Sequence, residues 1–171
     1  MYEWRNISEL ERLHLLEGRK ERGFPSHNCP HLSGSSGIYH VTSPCFEHES
    51  LLVEKEGRLL EFQNALLEFC ELNSQKLHAW CVLPNHYHLL LTLPDLKVFV
   101  HEHGRFHGRI SHQWNGEDGT RGRKCFHGQS DRFIRNEKHY WATVNYSHNN
   151  PVHHHYVCKW QEWPYSSVEA F

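Results

Sequence analysis

The chain of 171 residues holds no apolar run near the roughly 20 residues that cross a bilayer; its longest, around Leu89-Leu90-Leu91, is broken by Thr92 and Pro94. No apolar stretch follows the N-terminal Met1-Tyr2-Glu3-Trp4-Arg5, so a secretory leader is not expected, and the sequence points to the cytoplasm. Its six cysteines, at 29, 45, 70, 81, 125 and 158, include no C-x-x-C pair, which argues against a zinc knuckle or a dithiol redox site and for free thiols. There is no internal repeat and no low-complexity segment. A strong positive excess, common in nucleic-acid binders, is also missing: the net charge is −2. That charge is uneven. Residues 1–100 carry 9 Lys and Arg against 13 Asp and Glu, whereas residues 101–171 carry 9 against 7, so a phosphate-binding surface is expected in the second half.

What the chain has is histidine, 18 in all, and enough apolar residues (38%) for a real core. Residues 7–22 read as a polar helix with Leu10, Leu13 and Leu16 on one side. Residues 23–37 are rich in Gly, Pro, Ser and His and read as a loop. Ile38 to Thr42 reads as a strand and 54–73 as a helix, with Leu59, Phe62, Leu66 and Phe69 at helical spacing. Leu77 to Leu83 and His86 to Leu93 read as a hairpin around Pro84-Asn85. Residues 95–113 read as a helix capped by Asp95. Residues 114–123 read as a mobile loop, 124–126 as a last strand, and 136–148 as a helix ended by Pro151. The aromatic tail from Trp160 is expected to pack back. Strand, helix, strand, strand, helix, strand implies a ferredoxin-like α+β sandwich, an antiparallel sheet of four or five strands with helices on one face. The sequence divides into an N-terminal helix and loop, 1–36, and a domain, 37–171, ending in a further helix and tail.

The chemistry is concentrated at 86–93. Alternation sends Tyr87, Leu89, Leu91 and Leu93 to one face, and His86, His88, Leu90 and Thr92 to the other. Two imidazoles two residues apart on a strand, roughly 6–7 Å at Cα, can reach one divalent ion. Two ligands leave positions for a third protein group, water or substrate oxygen. The plainer reading is a pair of hydrogen-bonded strand histidines, since His101/His103 and His153/His155 share the spacing in this histidine-rich chain. Spacing alone leaves both open.

Further motifs narrow the choice. Val82-Leu83-Pro84-Asn85-His86-Tyr87-His88-Leu89-Leu90 resembles the V-[LM]-P-N-H-x-H-L-L strand of HUH transposases, in particular the REP-associated tyrosine transposases. Asp131-Arg132-Phe133-Ile134-Arg135-Asn136-Glu137-Lys138-His139, Asn145-Tyr146-Ser147-His148-Asn149-Asn150-Pro151-Val152, Trp163-Pro164-Tyr165-Ser166-Ser167 and the opening Ile38-Tyr39-His40-Val41-Thr42 resemble further stretches of that family, in order, over about residues 37–168. The resemblance implies a domain that binds single-stranded or hairpin DNA, as monomer or homodimer. It implies a divalent metal, Mg²⁺ or Mn²⁺, on His86 and His88, and DNA transposition through a tyrosine that takes the 5′ phosphate and frees a 3′-OH.

By this resemblance the nucleophile's slot lies two residues before Asp131 and is filled by Gln129, which cannot form a phosphotyrosine. Tyr140 is a weak substitute better suited to the core, and Tyr146 reads as structural. Arg121, Arg123, Lys124, Arg132 and Arg135 are the expected DNA contacts, with Arg121-Gly122-Arg123-Lys124 the densest cluster. Loss of the tyrosine favours a catalytically inactive DNA-binding regulator. An RNA-binding ferredoxin-like module is a third reading; it requires exposed sheet aromatics such as Tyr39 or Tyr87.

Overall fold

The structure, a computed structural model, describes residues 8–11, 13, 14, 17 and 36–168. The few described residues of the first 31 belong to a unit of their own. Ser8 opens a helical turn there: its hydroxyl accepts from Glu11 N–H at 3.3 Å, while its own N–H donates to the Glu11 carboxylate at 2.7 Å. Leu10 and Leu13 are exposed; Leu16, the third member of the expected stripe, lies outside the described residues.

The second unit holds a four-stranded antiparallel sheet in the order β2-β3-β1-β4. The strands are β1 (Gly37–Pro44), β2 (Lys76–Leu83), β3 (His86–Leu93) and β4 (Ser130–Phe133). Helices α1 (Arg58–Asn73), α2 (Leu96–Glu117) and α3 (Glu137–His153) alternate with them. This is the expected ferredoxin-like arrangement. Asp95 caps α2 as expected, its carboxylate accepting from the N–H groups of Lys97 (2.7 Å) and Val98 (3.2 Å). Asn136 does the same for α3, accepting from His139 N–H at 2.9 Å.

Alternation along β1 and β3 sorts the side chains as the sequence implies. Tyr39, Val41, Tyr87, Leu89, Leu91 and Leu93 enter the main core with Phe62, Leu66 and Phe69 of α1 and Leu96, Phe99 and Phe106 of α2. The opposite face, expected to be open, is partly covered by the C-terminal helix. Ala79, Leu90, Ile134 and Val144 form a small second core there, flanked by Ile38 and Tyr140.

Three boundaries differ from expectation for identifiable reasons. Helix α2 runs one turn past 113 because Trp114 is a core residue, packed on Phe62 and Phe126. Residues 124–126 make only a single bridge, Cys45 to Phe126. The fourth strand is the short polar Ser130–Phe133, an edge strand whose composition hides it. Helix α3 continues to His153 with Pro151 inside its last turn.

The 114–123 loop, expected to be mobile, is tied down. Asp118 bonds the buried Arg58 (2.6 Å), Lys55 (2.9 Å) and Arg123 (2.5 Å), and Arg58 lies over the Trp114 ring at 5.1 Å. The aromatic tail packs back along β2, as expected. Val82 N–H donates to Tyr165 O at 2.8 Å, and the Trp163 indole N–H donates to Val82 O at 2.9 Å. Among the described residues no helix is long and apolar enough to cross a membrane.

A candidate metal and nucleophile centre

His86 and His88 leave the same face of β3, the one under α3. Their ring centroids are 5.0 Å apart with planes at 86°. Both are buried, at 7% and 2% exposure, so neither is a solvated surface histidine. Burial pushes His86 down to about 4, partly opposed by its bond to Asn150, and holds His88 well below the ordinary imidazole range, helped by His40 and His86. Both rings are therefore neutral near pH 7, and each has one nitrogen lone pair to offer.

The hydrogen bonds show where those lone pairs face. His88 Nδ1 pairs with Thr42 Oγ1, across β1, at 3.0 Å, and its Nε2 is buried without a hydrogen bond. His86 Nδ1 meets Asn85 Oδ1 at 2.7 Å and its Nε2 meets Asn150 Oδ1 at 2.9 Å. A neutral imidazole carries a single N–H, so with both amides turned oxygen-first it cannot satisfy both. Either a turned Asn150 amide or a shared cation satisfies both. Two ligands lying at right angles about 2.1 Å from one ion are about 3.0 Å apart, which matches the His86–Asn150 separation.

The groups that could hold such an ion are His86 Nε2, His88 Nε2 and Asn150 Oδ1. Among the described residues no group of three or more His, Cys, Asp or Glu could hold a metal ion, so a third protein donor would have to be of another kind, such as the Asn150 amide. Two imidazoles and one neutral oxygen suit Mn²⁺ better than Mg²⁺, which prefers oxygen throughout.

Tyr146 stands beside this group. Its ring meets His88 edge-on at 5.3 Å and His40 at 6.0 Å, and the residue is half exposed. Tyr146 and Asn150 are four residues apart on α3 and so share one helix face. The signal was in the sequence, a Tyr-x-x-x-Asn pair inside the Asn145–Val152 motif. A helix that ends before Asn150, as the sequence predicts, would separate the two, whereas the helix runs to His153.

The other expected residues are elsewhere. Gln129 lines a cavity of about 480 Å³ between α2 and residues 123–129, together with His103 and His107. Those two histidines pair with the Tyr87 hydroxyl, at 2.5 and 2.6 Å, on the α1–α2 side of the sheet. Gln129 therefore sits with His103 and His107 rather than with His86 and His88. Tyr140 pairs with His78 at 3.3 Å and flanks the second core, consistent with the packing role favoured for it.

Of the expected DNA contacts, Arg123 is taken up by Asp118 and Glu54, Arg121 by His112, and Lys124 lies over the Phe46 ring. Arg135 is exposed, with its backbone N–H donating to His139 Nδ1. Arg132 is exposed on β4, directly opposite His40. Tyr39 and Tyr87, which an RNA-stacking sheet would need, are both in the core.

The site therefore combines a His-x-His strand of a ferredoxin-like sheet with a tyrosine and an amide that one helix lays across it. No family model matches the chain. It is 30% identical over 121 residues to a Haemophilus influenzae protein named as a candidate REP-associated tyrosine transposase, covering 63% of this chain and 66% of that one. It is 31% identical over 93 residues to the REP-associated tyrosine transposase of Escherichia coli K12, covering 54% and 53%. The chain therefore spans just under two thirds of the first curated relative and about half of the second. The structure of a REP-associated tyrosine transposase bound to a REP hairpin superposes with a TM-score of 0.62 at 25% identity, covering 80% of this chain and 79% of that one. The chain is thus similar, in sequence and in fold, to REP-associated tyrosine transposases.

Proposed function

We propose that this chain binds hairpin DNA and cleaves and rejoins one strand through Tyr146, not through a residue at position 129. The observation that carries this is the placement of a half-exposed tyrosine 5.3 Å from His88, on the same helix face as the amide bonded to His86. The hairpin bound by the structural relative supports the choice of ligand, and the same reading puts the protein at cytoplasmic DNA.

Tyr146 Oη attacks a backbone phosphorus. The Oη–P bond forms and the P–O3′ bond breaks. The leaving 3′ oxygen takes up a proton, and the tyrosine proton passes to solvent at the exposed edge of the ring. The product is a 5′-phosphotyrosine and a free 3′-OH. Attack by a 3′-OH on the same phosphorus reverses the step and returns the tyrosine, so the energy of the phosphodiester is conserved. A divalent ion, Mn²⁺ or Mg²⁺, held by His86 Nε2, His88 Nε2 and Asn150 Oδ1 would supply Lewis-acid stabilisation of charge on the phosphoryl oxygens. Thr42 fixes the His88 tautomer, and Asn85 orients His86. Arg132 and Arg135 serve the DNA backbone; Arg123, already neutralised by two carboxylates, contributes little.

The protein is mixed with labelled hairpin DNA and Mn²⁺ and run on a denaturing gel. Wild type and Tyr140→Phe are expected to give a covalent adduct, and Tyr146→Phe none. No adduct with wild type would leave the binding-only regulator standing. An adduct that persists in Tyr146→Phe would exclude Tyr146 as the nucleophile.

A further inference from the structure

Next to the proposed metal donors is a buried polar atom with nothing to bond. His40, on β1, is 9% exposed, and its Nε2 is buried without a hydrogen-bond partner. Such atoms are rare in folded proteins, and each calls for a ligand or a bound water. The ring stacks on His88 at 5.3 Å with planes 25° apart, and meets Tyr146 edge-on at 6.0 Å. On the far side Arg132 lies opposite His40 in the antiparallel β1–β4 pair, so the two side chains leave the same face of the sheet. Arg132 makes no hydrogen bond or ion pair with its side chain among the described residues.

Resting on the reading of Tyr146 as nucleophile, we propose that His40 and Arg132 form a second, metal-free clamp that holds a non-bridging oxygen of the phosphate under attack. His40 is not a third metal donor. Near-parallel stacked rings set their nitrogens side by side instead of converging on a point, and no histidine trio has metal-holding geometry among the described residues. A hydrogen-bond donor and a guanidinium that flank the tyrosine, on the side away from Asn150, are what a phosphate oxygen needs. The nucleophile would then lie between two holds on one phosphate: the donors on β3 and α3, and the pair on β1 and β4.

The test compares His40→Phe, which keeps the stack and removes the nitrogen, with His40→Gln, which restores a donor at similar reach. Single-turnover adduct formation is measured on hairpins bearing one sulfur, in each stereochemical form, at the cleaved phosphate. His40→Phe is expected to slow the step about 100-fold, as loss of one preorganised oxyanion donor does. His40→Gln should recover to within about tenfold. Mn²⁺ affinity should not change in either variant. One sulfur isomer should slow wild type yet make no difference to His40→Phe. A His40→Phe rate near that of wild type, or the same sulfur effects in both proteins, would overturn the clamp.

If wild type forms no adduct, the Tyr146 reading fails by itself, and the clamp is judged on binding. Nitrogen-15 spectra of Tyr146→Phe with and without hairpin DNA should show His40 Nε2 shifting on binding and that shift lost in Arg132→Gln. An unmoved Nε2 resonance would overturn it.

Discussion

Acid should unfold this protein early, because several imidazoles are folded in the neutral form. Burial holds His40, His86 and His103 at about 4, against about 6.5 in an unfolded chain. Between those values the unfolded state binds protons that the folded state does not, so stability falls as pH drops below about 6.5 and levels off near 4. At pH 5 each of the three costs about 2 kcal/mol, or about 6 kcal/mol together, a large part of the ~5–15 kcal/mol that holds a domain folded. His88 and His107, also held well below the ordinary range by burial, act in the same direction. In a chain of this length that loss lowers the melting temperature by about 20 °C. The assay is thermal unfolding by circular dichroism at pH 7.5, 6.5, 5.5 and 5.0, with chelator present so that no ion occupies the site. His40→Gln should make the pH dependence shallower, by about 2 kcal/mol at pH 5. A melting temperature that stays flat from 7.5 to 5.5, or imidazole resonances of these histidines titrating above pH 6, would refute the reasoning.

Other perturbations test separate parts of the structure. Tyr87→Phe strands two buried imidazole nitrogens, on His103 and His107, and should cost about 2–4 kcal/mol in urea unfolding. Asp118→Ala leaves the Arg58 guanidinium buried with only its weaker partners Glu54 and Glu117, and should cost about 3 kcal/mol by the same measurement. The His86→Ala, His88→Ala double variant should keep its circular dichroism spectrum and bind no Mn²⁺ by calorimetry; unchanged affinity would mean that the site does not exist.

Periodicity revealed the sheet and the pairing of His86 with His88, because a strand commits every second residue to one side. It could not show what lies over that side. Helix α3 covers it, bringing Tyr146 and Asn150 to the two histidines, and that approach is a tertiary fact with no local signature beyond a four-residue spacing. The proline rule then misdirected the reading. Pro151 predicts a stop near 148 with Asn150 in a loop, whereas the helix runs on through it and the Asn150 amide contacts His86. Counting residues back from Asp131 to Gln129 failed in a different way. Gln129 is next to β4 in sequence, but it lines a cavity with α2 histidines.

Tyr87 explains why the histidine strand cannot drift. A slip of one residue along β3 would exchange the faces, carrying His86 and His88 into the main core and the leucines out under α3. Four apolar neighbours resist that, but leucines alone specify a face and not a register along the helix beneath. The Tyr87 hydroxyl adds that register by bonding His103 and His107, one helical turn apart on α2. The residue between His86 and His88 thus anchors the strand to the opposite layer, and the cavity holding Gln129 adjoins that anchor. Filling the cavity by a Gly108→Leu substitution, at an α2 position where an added Cβ meets no atom within 4 Å, should leave adduct formation by Tyr146 intact if the anchor is rigid. Loss of adduct at unchanged melting temperature would instead show that the α2 layer controls the geometry of the histidine pair.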